Sequence, residues 1–233
     1  MDKPYRLHYA PDNASMIIRL ALEELGQPYE TVLVNRSREE QRSEAYLALN
    51  PHGKIPVLET DEGAIFETGA ILLWLADRHG SLAPTADHPE RGDFLKWLFF
   101  VANTLHAQLT VLFYTDRFVS TETAVHDLRD TLAEHIKQHL LALDELAALK
   151  PDWFGAEEPS ALDLYVVACL RWVALYPTNM PRWFDLGIFP NLAQLAIQVE
   201  KRPSVTALIV AEGLGLAPFT SPVLPHPPEG SAL

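Results

Sequence analysis

Cysteine is nearly absent from this sequence, because Cys169 is the only one among 233 residues. A single cysteine cannot form an internal disulfide, a CxxC redox pair or a cysteine-rich zinc site. Positive charge is also scarce: 18 lysines and arginines stand against 31 aspartates and glutamates, and the formal net charge is -13. Such an acidic chain is poorly suited to wrapping nucleic acid or to lying on an anionic lipid surface.

Long apolar segments are missing as well. No apolar run approaches the roughly 20 residues that span a bilayer, and residues 1–6 contain no apolar core of a secretory signal. Hydrophobic residues nevertheless make up 48% of the chain, which is enough for a packed core. We therefore expect a soluble, cytoplasmic protein, without nucleic-acid or membrane partners, that binds a small molecule or another protein.

Several common catalytic motifs are absent too. The 11 glycines never form GxGxxG, and the sequence has no Walker A loop, HExxH helix or GxSxG turn. His135 and His139 are spaced to share a metal ion on one helix face, but no third ligand is obvious. Two surface histidines are the better interpretation, and we expect no metal.

The first 80 residues alternate between short strand-like and helix-like segments, in the order β-α-β-α-β-β-α. The predicted strands are residues 5–9, 29–34, 55–58 and 64–66, and the predicted helices are residues 15–25, 38–49 and 68–78. The first two strands should be parallel around a crossover helix. The last two should form an antiparallel hairpin around Asp61-Glu62-Gly63.

The chain becomes helical after a break. Residues 81–90 lack periodicity and contain two prolines, which is typical of a linker. Amphipathic helices are predicted over residues 90–117, 122–149, 160–176, 191–200 and 204–212. The last 17 residues contain five prolines and should be a disordered tail or an extended arm. The predicted division is a domain at 1–80, a linker at 81–90, a helical domain at 91–216 and a tail at 217–233.

Three polar segments among the first 80 residues are candidates for a binding site. Asn13-Ala14-Ser15-Met16 lies where the first strand passes into the first helix, and a helix N-terminus favours an anion or a thiolate. Residues 50–58 read Asn-Pro-His-Gly-Lys-Ile-Pro-Val-Leu, and residues 67–71 read Glu-Thr-Gly-Ala-Ile. Taken singly, each segment has an ordinary explanation as a helix cap or an edge-strand proline.

Together, in this order and spacing, the three segments resemble the glutathione S-transferase family. Ser160-Ala161-Leu162-Asp163 is similar to the capping box of that family's core helix, and residues 189–192 and 202–205 resemble its C-terminal signature. The resemblance covers residues 5–213 and implies a two-domain fold, thioredoxin-like and then all-helical. The nearest subgroup is the bacterial β-type, which has a cysteine where this chain has Ala14. A mixed disulfide at that position is therefore impossible here.

The resemblance implies a role for several residues in binding glutathione. Glu67 would face the ammonium group of the γ-glutamyl end, and Thr68 would hold its α-carboxylate. Ile55, which precedes a presumed cis Pro56, would pair its backbone with the cysteinyl part of glutathione. Lys54 would reach the glycyl carboxylate, and His52 is a weaker candidate for the same end.

The resemblance also implies how the sulfur would be held. Ser15 would donate a hydrogen bond to it, with Asn13 as an alternative contact. Such a bond at a helix N-terminus lowers a thiol pKa and raises the fraction of reactive thiolate. His106 and Asn103, on the first long helix of the second domain, would reach across to the site, although a satisfied helix histidine explains His106 equally well. Cys169 is expected to be inert packing.

The implied activity is that of a homodimeric glutathione transferase, a detoxification enzyme that uses glutathione as co-substrate and adds its thiol to an apolar electrophile. The candidates to line the substrate cleft are Phe113, Tyr114, Phe118, Trp172 and Tyr176. Aromatic residues at helical spacing are, however, more often part of a core. A glutathione-dependent disulfide reductase and a non-catalytic binding module of the same fold are the alternatives.

Overall fold

A four-stranded mixed sheet forms the centre of the first part of the chain. The computed structural model describes residues 4–232. The strands are β1 (Tyr5–Tyr9), β2 (Tyr29–Leu33), β3 (Val57–Thr60) and β4 (Gly63–Phe66), in the sheet order β2-β1-β3-β4. β1 and β2 are parallel, whereas β1 with β3 and β3 with β4 are antiparallel. The predicted crossover and hairpin are both confirmed.

Helices α1 (Ser15–Glu24) and α3 (Thr68–His79) accompany the sheet, as predicted. The predicted helix over residues 38–49 is wrong, because only α2 (Glu44–Leu47) is an α-helix and two short 3-10 turns precede it. The backbone explains the difference. Glu39 takes a left-handed conformation at φ 53°, which ends the first turn, and the Ser43 side chain then caps a new helix at the Tyr46 N–H.

The second part of the chain is helical. It comprises α4 (Arg91–Phe100), α5 (His106–Phe113), α6 (Glu122–Leu149), α7 (Ala161–Leu175), α8 (Pro190–Glu200) and α9 (Pro203–Glu212). A π-helical turn at Val101–Leu105 joins α4 to α5 inside the segment predicted as one helix. This order of elements confirms the expected fold class. Within residues 4–232, we find no helix long and apolar enough to cross a membrane.

Helix α7 is the centre of the helical part, because every residue from 161 to 173 is buried. Its start is fixed by the predicted capping box. The Ser160 Oγ accepts hydrogen bonds from the N–H groups of Leu162 and Asp163 at 3.1 and 3.3 Å. The Asp163 carboxylate in turn accepts from the N–H groups of Ser160 at 2.7 Å and Gly155 at 2.8 Å. The box therefore anchors both the helix and the loop before it.

An ion pair with fully buried side chains connects α7 to the turn between β1 and α1. The Arg171 guanidinium donates to both carboxylate oxygens of Asp12, at 2.8 and 3.0 Å. Asp12 also accepts from the Trp172 indole at 3.2 Å and from the Tyr176 hydroxyl at 2.7 Å. A buried charge with this many partners is satisfied only while both parts of the chain are docked.

As far as residue 232, the proline-rich segment after α9 is an extended arm. Its backbone carbonyls at Pro218 and Val223 accept hydrogen bonds from Arg171, at 3.2 and 3.0 Å. The His226 N–H donates to the Gly213 carbonyl at 2.8 Å, and a Cβ at Gly213 would lie 2.0 Å from the His226 carbonyl oxygen. Further along, Glu229 accepts from the Tyr9 hydroxyl. The arm thus returns to the first strand of the sheet.

The Asp163→Ala variant tests the capping box. We expect its free energy of unfolding to fall by about 2–4 kcal/mol, because two N–H groups lose their acceptor in a buried place. The matched control is Thr121→Ala, which removes the exposed cap of α6 and should cost about 1 kcal/mol. Chemical denaturation of both variants measures the difference, and equal losses would contradict the prediction.

The Arg171→Met variant tests the buried ion pair. We expect it to lower the free energy of unfolding by about 3–5 kcal/mol, because the Asp12 carboxylate would remain buried without its cation. Arg78→Met removes an exposed arginine that pairs with Asp61 and Glu62, and it should cost at most about 1 kcal/mol. Denaturant midpoints for the two variants should differ accordingly, and a loss as small in Arg171→Met as in Arg78→Met would argue against the role given to the pair.

Candidate functional site

A cavity of about 1430 Å³ lies between the sheet and the helical part of the chain. It is lined by the β1–α1 turn, the segment before β3, the start of α3, and residues of α5, α6 and α7. The predicted site residues on its wall are Asn13, His52, Lys54, Ile55, Pro56, Glu67, Thr68, Asn103 and His106. The structure therefore brings together residues from segments that are far apart in the sequence.

The β1–α1 turn presents Asn13 and Ala14 to the cavity. Asp12 holds the turn with a left-handed φ of 49°, and its N–H donates to the buried Glu212 at 2.9 Å. The Asn13 Oδ1 accepts from the Ala14 N–H at 2.8 Å, which leaves its amide NH2 available to a ligand. Helix α1 has neither a side-chain cap nor an acidic residue in its first turn. Its N-terminus is therefore a suitable environment for a thiolate.

Ser15 begins α1, as predicted, but its side chain points into the turn. Its side chain is buried and is not part of the cavity wall. The hydroxyl donates a hydrogen bond to the Ala10 carbonyl at 3.0 Å and accepts one from the Ala10 N–H at 3.3 Å. It therefore stabilises the turn between β1 and α1. Of the two candidate sulfur contacts, Asn13 lines the cavity and Ser15 does not, and the choice between them stays a prediction. A hydroxyl one residue into a helix can serve either purpose, and the sequence does not show which way it points.

The segment before β3 is a loop held by the buried Asn50. Its side chain accepts from the His52 N–H at 3.0 Å and donates to the Lys54 carbonyl at 2.8 Å. Gly53 needs its lack of a side chain, because φ is 61° and a Cβ would lie 2.7 Å from the Gln41 carbonyl oxygen. The loop leaves the side chains of His52 and Lys54 exposed at the cavity.

The peptide bond between Ile55 and Pro56 is cis, as presumed from the sequence. Both residues line the cavity, with Pro56 buried and Ile55 partly exposed. Val57 begins β3 immediately afterwards and pairs with His8 of β1. The backbone of Ile55 is therefore the last part of this segment before the sheet, at the edge of the cavity.

The start of α3 contributes Glu67 and Thr68. Glu67 is exposed, with a left-handed φ of 73°, and its carbonyl accepts from the Ile71 N–H at 2.9 Å. A non-glycine residue in this conformation is strained, and such residues cluster at functional sites. Thr68 is buried at the first position of the helix. The pair places a free carboxylate and a hydroxyl beside a helix N-terminus.

His106 forms part of the opposite wall, just after the π-helical turn. Its Nδ1 lies 2.8 Å from the Tyr165 hydroxyl, and its ring lies against that of Trp172, with centroids 5.1 Å apart. Burial, and secondarily the positive charge of Lys54, lowers the pKa of His106 to about 4. The imidazole is therefore neutral at physiological pH. Asn103, one turn earlier, is exposed at the cavity.

The aromatic side chains proposed for a substrate cleft divide into two groups. Phe113, Tyr114, Trp172 and Tyr176 line the cavity, with the rings of Phe113 and Tyr176 5.8 Å apart in an edge-to-face arrangement. Phe118 does not line it and is 57% exposed. The cavity therefore offers an aromatic wall on its helical side.

Sequence reasoning missed several basic residues of the cavity. Arg36, Arg117, His126 and Arg129 all belong to its lining. Arg36 donates to the Tyr114 hydroxyl at 2.8 Å and to the backbone carbonyl of Ala232, while the Arg117 guanidinium lies 4.1 Å from the centre of the Tyr114 ring. The sequence did contain a signal for two of them, because the spacing of His126 and Arg129 puts both on one face of the predicted helix 122–149.

Cys169 is fully buried in α7, and burial raises the pKa of its thiol. It does not line the cavity. A thiol in this environment stays protonated and out of reach of a substrate. Any thiol chemistry in the cavity therefore needs a sulfur atom that the chain does not supply.

Comparisons with known proteins agree with this picture. Residues 7–85 match the family model described as the glutathione S-transferase N-terminal domain. The structure of a sphingomonad glutathione S-transferase complexed with glutathione is similar over 90% of this chain and 100% of that one, with 30% identity and a TM-score of 0.74. The β-class glutathione S-transferase of Sphingomonas chungbukensis is similar over 89% and 98%, with 31% identity and a TM-score of 0.73.

A third relative carries a different name. The disulfide-bond oxidoreductase YfcG of Escherichia coli K12 is 26% identical over 229 residues, which is 90% of this chain and 96% of that protein. Its likeness, like that of the two solved structures, spans the sheet and the helical part alike. An agreement of this extent leads to one conclusion: the chain belongs to the glutathione S-transferase family.

Proposed function

We propose that the cavity binds glutathione and activates its thiol for attack on an electrophile. The observation that carries this proposal is the convergence of Asn13, Ile55, Glu67 and Thr68 on one cavity. An exposed carboxylate, a helix N-terminus and free backbone groups together match a ligand with one ammonium group and two carboxylates. The family membership supports a transferase, and the solved relative bound to glutathione supports the ligand.

Each end of glutathione has a counterpart in this arrangement. Glu67 faces the ammonium group, and Thr68 with the start of α3 holds the neighbouring carboxylate. The backbone of Ile55 pairs with the cysteinyl part, and Lys54 attracts the glycyl carboxylate, with His52 beside it. His106 and Asn103 close the site from the helical side.

The sulfur lies at the start of α1 in this proposal. The Asn13 amide and the helix N-terminus stabilise the thiolate, so a larger fraction of the thiol is ionised at neutral pH. The thiolate then forms a bond to the electrophilic carbon, the leaving group departs with the bonding electron pair, and the thiol proton passes to solvent. The aromatic wall of Phe113, Tyr114, Trp172 and Tyr176 holds the electrophile above the sulfur.

The disulfide-bond oxidoreductase among the relatives favours a second candidate, glutathione-dependent disulfide reduction. In that reaction one glutathione thiolate attacks a disulfide sulfur and releases one thiol. A second glutathione then releases the other thiol and leaves as glutathione disulfide. The cavity exceeds the usual range of about 300–1,000 Å³ for ligand pockets, which gives room for both molecules.

Three assays separate these functions. The protein should be retained on immobilised glutathione, and conjugation of glutathione to chlorodinitrobenzene should be measured beside reduction of hydroxyethyl disulfide. Conjugation supports the transferase, and disulfide reduction without conjugation supports the reductase. Retention without turnover in either assay would favour a binding module. We also propose that the protein is cytoplasmic and forms a homodimer. Sedimentation of the purified protein would test the dimer.

The Glu67→Gln variant should raise the KM for glutathione about tenfold, because a charge-assisted contact to the ammonium group is lost, while kcat changes little. Glu62→Gln is the matched control, since Glu62 is an exposed acid that pairs with Arg78 and does not line the cavity. Steady-state kinetics with varied glutathione provides the measurement. A KM unchanged by Glu67→Gln would remove Glu67 from the site.

The Asn13→Ala variant should move the rising limb of the pH profile of kcat/KM to higher pH, by up to about one unit, because the thiolate loses a hydrogen-bond donor. With the electrophile varied at saturating glutathione, this limb reports the thiol of bound glutathione. His106 does not contribute to it, because burial lowers its pKa to about 4. Ser15→Ala is the comparison that decides between the two original candidates. A limb displaced only in Ser15→Ala would restore Ser15 as the sulfur contact.

A further inference from the structure

Arg129 lies in the cavity wall and has no hydrogen-bond or ion-pair partner among the residues that the structure describes. It is only 8% exposed, and its Nε is buried with no hydrogen-bond acceptor. Along residues 4–232, no carboxylate forms an ion pair with its guanidinium, although Asp116 and Glu122 also line the cavity. A buried charge is costly unless it is paired, so an unpaired one in a binding cavity indicates a missing anion.

Arg117 and His126 line the same cavity as Arg129. His126 lies one turn earlier on the same face of α6, and both residues line the cavity. The short turn at Thr115–Arg117 packs against α6 and presents Arg117, whose guanidinium lies over the Tyr114 ring. These three residues, Arg117, His126 and Arg129, are called the basic wall below. An aromatic surface and a cationic surface therefore meet at the same place.

The basic wall is separate from the residues assigned to glutathione. It belongs to α6 and the turn before it, whereas Asn13, Ile55, Glu67 and Thr68 belong to the first part of the chain. Both sets line one continuous cavity, so a molecule held by the basic wall can reach the sulfur. The planar fork of an arginine fits a carboxylate with two parallel hydrogen bonds.

We propose that the basic wall binds a carboxylate group of the second substrate, with Arg129 as its principal contact. The inference rests on the proposed function and narrows its substrate class. The preferred partner of glutathione is an aromatic or conjugated compound that bears a carboxylate, rather than a wholly apolar electrophile. Both the electrophiles of the transferase reaction and the disulfides of the second candidate reaction can carry such a carboxylate.

Paired substrates test the proposal. Chlorodinitrobenzoate and chlorodinitrobenzamide react with glutathione by the same substitution and differ in charge. For each compound, kcat/KM is divided by the rate constant of its uncatalysed reaction with glutathione at the same pH. This ratio, the acceleration, corrects for the difference in intrinsic reactivity between the two compounds. We expect the resulting acceleration to be about tenfold larger for the acid, as for one charge-assisted contact. Dithiodipropionate against hydroxyethyl disulfide forms the corresponding pair for disulfide reduction.

Variants assign the preference to Arg129. Arg129→Gln should abolish the preference for the acid and keep the acceleration of the amide, whereas Arg129→Lys should keep part of the preference as a point charge. Arg182→Gln is the matched control, because Arg182 is exposed and lies outside the cavity. A preference that survives Arg129→Gln would overturn the role of Arg129.

The wild-type protein keeps the proposal testable if Arg129→Gln fails to fold. Two further measurements then apply. The preference for the acid should be smaller in Arg117→Gln, which lacks the exposed arginine of the basic wall. In the wild type, the preference should decrease as salt is added. Equal accelerations of acid and amide in the wild type would overturn the basic wall while leaving the transferase intact. If neither compound nor disulfide reacted, the proposed function itself would be overturned.

Discussion

The buried contact between Asp12 and Arg171 is the constraint on which the site depends. Asp12 occupies the turn that presents Asn13 and the start of α1, and Arg171 belongs to the central helix of the other part of the chain. The same guanidinium holds the arm that follows α9. This one side chain therefore joins the turn before α1, the central helix α7 and the arm that follows α9, and the cavity lies between the parts that it joins.

The charge of the protein and the charge of its cavity have opposite signs. A net charge of -13 suits solubility, yet glutathione is itself anionic at neutral pH. The binding of glutathione that we propose therefore depends on local donors, namely Lys54 and two helix N-termini, which line the cavity. The near absence of cysteine has a similar consequence, because Cys169 is buried and any thiol chemistry in the cavity would need the thiol of a bound molecule.

Much of the fold could be predicted because its signals are local. The capping box at Ser160 and Asp163, and the periodicity of α6, act within a few residues. The prediction of a helix at 38–49 failed because Glu39 adopts a left-handed conformation that composition does not reveal. The bond of the Ser15 hydroxyl to the Ala10 carbonyl could not be predicted, because a hydroxyl at a turn can point to a ligand or to the backbone. Arg129 was missed because its lack of an ion-pair partner among residues 4–232 is a property of tertiary packing, which the sequence does not reveal.

The path of the arm determines how the protein can be handled. Ala232 lies in the cavity wall, where its carbonyl accepts a hydrogen bond from Arg36. A tag or fusion partner attached after this point would start in the wall of the cavity and crowd it. Residue 4 instead precedes β1 at the end of the strand opposite the Asn13 turn. Labels, surface tethers and fusion partners are therefore better joined at that end, where the entrance stays open.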